Sequence, residues 1–168
     1  MDVAQLLLEL YGRIPPLAEE AVTDLTREQL ARPPAAGANP IGWLVWHAAR
    51  VQDSHMAEIL EREQLWTEAD WAGRFGLEPD PANSGYGHTA TEVAAVAPEG
   101  PDVLVGYLAA VDERTRAFLR GVVDDDLDRI VDRNWDPPVT LGVRLVSIAD
   151  DCLQHVGQAA YARGLLGY

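Results

Sequence analysis

At 168 residues, 48% hydrophobic and 24% charged, the chain is that of a soluble globular protein, long enough for one good core, so a single domain over residues 1–168 is expected. Its 13 basic residues, all arginine, stand against 27 acidic ones, and the net charge of −14 argues against binding to nucleic acid or to anionic membrane surfaces. A single cysteine, Cys152, excludes an intramolecular disulfide framework. No apolar run approaches the ~20 residues needed to span a bilayer, and residues 1–8 lack the basic start of a signal peptide, so a cytoplasmic location is expected. The absence of lysine, with abundant Ala, Gly and Pro, fits high-GC bacterial coding DNA.

Taken in chain order, Asp2 is placed to cap a helix with apolar residues at Leu6, Leu7, Leu10, Ile14 and Leu17. Pro15-Pro16 should kink or end it, because proline removes a donor and clashes with the preceding turn. Thr26-Arg27-Glu28-Gln29 reads as a capping box opening a short helix that Pro33-Pro34 stops. Asn39 followed by Pro40 marks the start of a second long helix, an N-cap with proline at the first helical position. Ile41, Leu44, Val45, Ala48, Val51, Met56 and Ile59 carry that helix to about residue 63.

Residues 64–100 form a long connection rich in Gly and Pro that also holds Trp66, Trp71, Phe75, Tyr86 and His88. Connections of this length are usually functional or contain small helices, and Thr89-Ala90-Thr91-Glu92 reads as one capped start. Pro101-Asp102 opens a third long helix that ends near Gly121, and Asp124-Asp125-Asp126 starts a short helical turn. Thr140 caps a fourth, apolar at Leu141, Leu145, Ile148, Cys152, Val156, Ala159, Ala160 and Leu165, with Gly164 or Gly167 near its end. Strand signals are nearly absent. The expected architecture is an all-α four-helix bundle with a long crossover between helices 2 and 3, where sites are built from inward-facing side chains.

Within the fourth helix, Asp151 and His155 are four residues apart, a spacing that turns about 400° and rises about 6 Å, so carboxylate and imidazole share one face. His47 interrupts the apolar run from Trp43 to Val51 in the second helix. Alone, a histidine in an apolar helix is more often a satisfied core residue than a ligand, and a bare D-x-x-x-H motif is weak. An aspartate in an apolar flank nevertheless needs a reason, because an uncompensated buried carboxylate costs several kcal/mol. The bland alternative places Asp151 at the surface beside Asp150, or pairs it with Arg50 or Arg144. Only Asp151 has the four-residue relation to His155, so the candidate ligands of one divalent metal are His47, Asp151 and His155. His55, about 80° round the helix from His47 and two turns away, is expected at the rim or surface. His88 is a candidate for the site entrance and Trp43 for a cavity wall. Cys152 reads as a small buried hydrophobe, and Gln158 as a residue that orients His155.

The segment from Asn39-Pro40-Ile41-Gly42-Trp43 through His47, together with Asp151-x-x-x-His155-x-Gly157-Gln158, resembles the DinB/YfiT-like metal-binding bundle superfamily over essentially the whole chain. That superfamily includes the metal-binding domain of mycothiol-dependent maleylpyruvate isomerase. The resemblance implies that His47 is the first ligand, Asp151 the variable second and His155 the third, with Asp where relatives often have His or Glu. The isomerase uses a second domain with no counterpart here, so isomerisation is not expected. The resemblance implies instead a mycothiol or related low-molecular-weight thiol S-transferase acting on a small electrophile in detoxification, with zinc preferred over nickel. A non-haem Fe(II) enzyme using the His-Asp-His set is an alternative. A non-catalytic metal- or ligand-binding bundle with a stress-response role is another. Relatives are often homodimers, an assembly that spare apolar helix surface would also suit.

Overall fold

The computed structural model describes all of residues 1–168. Helix α1 (Val3–Tyr11) begins with a capping box in which Asp2 accepts from the Gln5 backbone N–H and the Gln5 side chain accepts from that of Asp2. It stops at Gly12-Arg13, and α2 (Ile14–Val22) follows, so the expected first helix is two helices. Pro15-Pro16 lie in the first turn of α2 and open it rather than end α1, because the proline φ and missing N–H suit a helix start. The short α3 (Arg27–Leu30) has the reciprocal Thr26–Gln29 capping box.

Helix α4 (Ile41–Leu60) has Pro40 and not Asn39 at its N-cap position, and no side chain caps its first turn. It ends at a left-handed Glu61, slightly short of the expected residue 63. Its segment 41–50 is buried on every side, as befits the central helix of a bundle. The connection holds α5 (Leu65–Glu68), α6 (Trp71–Arg74) and α7 (Ala90–Ala95), the last opened by the Thr89–Glu92 capping box. Helix α8 (Pro101–Leu119) leads through a 3-10 turn at Asp124–Asp126 to a small antiparallel hairpin, β1 (Ile130–Asp132) and β2 (Val139–Thr140). Ile130 pairs with Thr140 and Asp132 with Val139. This hairpin is too short to leave a period-two pattern in the sequence. Helix α9 (Leu141–Leu166) is capped by Thr140 and closed by a left-handed Gly167.

The four rods of the bundle are the α1–α2 pair, α4, α8 and α9, around one core cluster of 36 buried residues. The most extensive packing is between α4 and α9, which run antiparallel, His47 facing His155 and His55 facing Arg144. The small side chains of Ala48 and Cys152 meet here, and the Cys152 thiol donates to the Ala48 carbonyl at 3.3 Å. No helix is long and apolar enough to cross a membrane.

Between α4, α8 and the connection lies a bonded polar group, although the indole N–H groups of Trp46 and Trp66 beside it are buried without a partner. Arg50 and Asp53 are fully enclosed and form an ion pair at 3.5 Å. Asp53 also accepts from the Leu65 and Trp66 backbone N–H groups at 3.0 and 2.9 Å and from the Tyr107 hydroxyl at 2.7 Å. Burial pushes the Tyr107 phenol well above its ordinary range, so it remains a donor. Removing one partner of such a pair strands the other charge. Asp53→Ala should therefore lower stability by about 3 to 5 kcal/mol, measured by denaturant unfolding, whereas a loss under about 1 kcal/mol would show that the pair is dispensable.

Candidate metal centre

Trp43, His47 and Arg50 follow one another at one-turn steps on α4, so a single face of that helix carries a ring, an imidazole and a guanidinium. Asp151 and His155 face it from the antiparallel α9. The structure brings together all three candidate ligands, with one ligand atom from each lying within 4.8 Å of the others. The two imidazole rings stand 4.7 Å apart between centroids and nearly perpendicular, at 77°.

The tautomers follow from the partners. His47 Nδ1 lies 2.5 Å from the Ser84 carbonyl oxygen, which can only accept, so Nδ1 carries the proton and the Nε2 lone pair is free. His155 Nδ1 lies 2.9 Å from Gln158 Oε1 and donates to it, which again leaves Nε2 as the ligand atom. His155 Nε2 is 3.6 Å from Asp151 Oδ1. Burial lowers the His47 pKa most. The Ser84 carbonyl opposes that shift, His155 adds to it and Asp151 opposes it, and the net effect keeps the ring in the neutral, metal-binding form.

Asp151 Oδ2 is buried and has no hydrogen-bond partner; Asp112 Oδ1 and the indole nitrogens of Trp46 and Trp66 share that condition, but of the four only Asp151 belongs to the His-Asp-His cluster. A divalent cation would satisfy it, and two free Nε2 atoms beside a carboxylate form a donor set suited to zinc, nickel or ferrous iron. His47 is only 6% exposed, while the Asp151 and His155 side chains are 34% and 19% exposed, so the cluster is closed on the α4 side and open on the α9 side.

The competing partners considered for Asp151 are taken elsewhere. Arg50 pairs with Asp53, and Arg144 with Asp132 at 2.5 Å. Asp150 is exposed and accepts from Gln154 at 2.8 Å. His55 lies near Glu58 and Arg144, away from the cluster. Cys152 is wholly buried, and burial raises its pKa far above the ordinary thiol range, so it is a core residue rather than a thiolate.

Trp43 stacks on His47 at 4.7 Å and 14° and turns its edge to His155. Its indole N–H donates to His88 Nδ1 at 3.2 Å, and His88 Nε2 then donates to Asn83 Oδ1 at 2.8 Å. His88 is therefore a tie between α4 and the connection. It borders a cavity of about 300 Å³ lined also by Ser84, Gly85 and Tyr86, which abuts the cluster through the loop while none of the three ligands lines it. Sequence reasoning missed Ser84 and Gly85, although Asn83-Ser84-Gly85-Tyr86-Gly87 carries turn chemistry. Gly85 has φ +96°, and a Cβ there would lie 2.6 Å from His47 Nδ1 and 2.9 Å from the Trp46 ring, so the close approach of the loop requires glycine.

A helical bundle carrying a His-Asp-His cluster able to hold a metal is the class of protein that this fold and site define. Residues 11–159 match the DinB superfamily, and the chain belongs to it. A crystal structure described as the conserved protein of locus from Enterococcus faecalis superposes with a TM-score of 0.90 at 34% identity, covering 100% of this chain and 99% of that one. No curated protein matches the chain. Some members of the superfamily are metal-dependent enzymes.

The two neighbouring aspartates separate the metal reading from simple surface charge. Asp151→Ala should weaken zinc binding at least about 100-fold in isothermal titration, more than the loss of an outer-shell partner, while Asp150→Ala keeps the affinity. Equal behaviour of the two variants would remove Asp151 from the site.

Proposed function

We propose that His47, Asp151 and His155 hold one divalent metal, zinc by preference, and that the protein is a thiol S-transferase joining a low-molecular-weight thiol such as mycothiol to a small electrophile. The observation that carries the metal reading is the unpartnered Asp151 Oδ2 beside two histidines held with Nε2 free. The thiol reading rests on the superfamily resemblance and on the open α9 side of the cluster.

A bound metal would supply Lewis acidity that lowers the pKa of an incoming thiol and holds it as thiolate. The protein's own residues set the conditions for this. Asp151 would neutralise one of the two metal charges, so a thiolate complex is closer to neutral and easier to hold beside apolar walls. Trp43, stacked on His47, excludes water from the α4 side and fixes the ring plane. Gln158 holds the His155 ring through Nδ1. The exposed flank of Asp151 and His155 leaves the approach for thiol and electrophile. Cys152 takes no part, since it is enclosed and protonated.

The test uses protein purified without a metal-binding tag, loaded with zinc, nickel or ferrous iron, and assayed for loss of mycothiol, bacillithiol or glutathione against a chlorodinitrobenzene-type electrophile. Turnover should require metal, cease with chelator, and be lost in His155→Ala. Metal uptake without thiol consumption by any loaded form would contradict the transferase and leave a metal-binding bundle. Oxygen uptake by the ferrous form alone would replace it with an oxygen-using iron enzyme.

A further inference from the structure

Arg50, one turn beyond His47, is fully buried without belonging to the ligand cluster, and its ion pair with Asp53 uses only part of its donor set. Its Nε donates to the Asn83 carbonyl at 3.0 Å, and one terminal nitrogen donates to the Pro81 carbonyl at 3.2 Å and to Gln64 Oε1 at 2.8 Å. The other terminal nitrogen reaches the Tyr107 hydroxyl at 3.2 Å, and the guanidinium lies 4.7 Å from the Trp66 ring centroid. Gln64 Nε2 donates to the same Pro81 carbonyl at 3.2 Å. Apart from the Asn83 Oδ1–His88 Nε2 bond, which His88 extends to Trp43, the loop so held is bonded locally: the backbone bonds donated by Asp80, Asn83 and Ser84 go to Glu78, Asp80 and Ala82. The next residue after the clamped Asn83 is Ser84, whose carbonyl accepts from His47 Nδ1.

We propose that Arg50 is a positioning residue for the metal centre: by clamping the Pro81 and Asn83 carbonyls it seats the Ser84 carbonyl on His47 Nδ1 and thereby fixes the tautomer whose Nε2 faces Asp151 and His155. The inference concerns the histidine itself and rests on the metal reading only for its effect on affinity. A lysine at this position keeps a positive charge opposite Asp53 but lacks the planar fork that reaches two carbonyls at once. The competing account gives Arg50 only the role of neutralising Asp53, and predicts no change at His47 when lysine takes over the charge.

The experiment is nitrogen-15 NMR of the histidine rings in metal-free protein at about pH 8, above the ordinary imidazole range, with zinc affinity measured in parallel. In the wild type, His47 should be the Nδ1–H tautomer. Folded Arg50→Lys should show a mixture with Nε2–H and bind zinc about 10- to 100-fold more weakly, the usual cost of losing an outer-shell partner. Gln64→Leu, partly buried and outside the ion pair, removes one donor to Pro81 and one acceptor of Arg50, and should shift the tautomer ratio the same way by less. Wild-type tautomer in Arg50→Lys overturns the clamp. If that variant does not fold, wild-type tautomer in Gln64→Leu overturns it equally. A tautomer shift in a protein that takes up no metal would confirm the clamp and refute the metal reading, so the two fail separately.

Discussion

The close antiparallel contact of α4 and α9 is the constraint on which the rest depends. Small residues meet in it, Cys152 bonding the Ala48 carbonyl, and it places an imidazole from one helix within reach of a carboxylate and an imidazole from the other. Larger side chains at those positions would force the backbones apart, and a site whose ligand bonds are about 2 Å long would not survive the displacement. The same contact leaves Asp151 partly enclosed, with one oxygen unpartnered beside two histidines, an arrangement that a divalent cation would satisfy.

The connection between α4 and α8 turns this helix pair into a shaped site. Its Ser84 carbonyl sets the His47 tautomer, its Asn83 side chain receives His88, and Gly85 permits the approach. It is itself pinned by the buried Arg50–Asp53–Tyr107 group, so hydrogen bonds run from the polar core of the bundle to the loop that meets His47, the most buried of the three candidate ligands. Packing alone would not specify which imidazole nitrogen faces the cluster. A directional hydrogen bond does.

Much of this was legible in the sequence because it is carried by local rules. The capping boxes at Thr26 and Thr89, the Thr140 cap and the Pro101 helix start act over three or four residues, and each occurs in the structure. The pairing of Asp151 with His155 is likewise a helical spacing. His47 was legible as a polar intrusion in an apolar run, which groups it with the other two, and the family resemblance implies the same grouping. Other features depend on tertiary context. Asn39 makes no cap and Pro40 takes the N-cap position, the first helix breaks at Gly12-Arg13 and not at the prolines, and the two-stranded hairpin is joined to α9 by the Asp132–Arg144 ion pair. In the sequence Arg50 stands out only as a possible partner for Asp151, and nothing singles out Asp53. Only the three-dimensional enclosure by Tyr107, Trp66 and Gln64 makes them an internal clamp.

The central claim is that the interior face shared by α4 and α9 is a metal site with defined ligand atoms. Anomalous diffraction from zinc-loaded crystals, recorded on both sides of the zinc edge, tests it most directly. The account predicts one ion bonded to Nε2 of His47, Nε2 of His155 and a carboxylate oxygen of Asp151 at about 2.0 to 2.2 Å, with the Ser84 carbonyl still on His47 Nδ1. An ion held elsewhere, or bound through His47 Nδ1 with the Ser84 loop displaced, would contradict it.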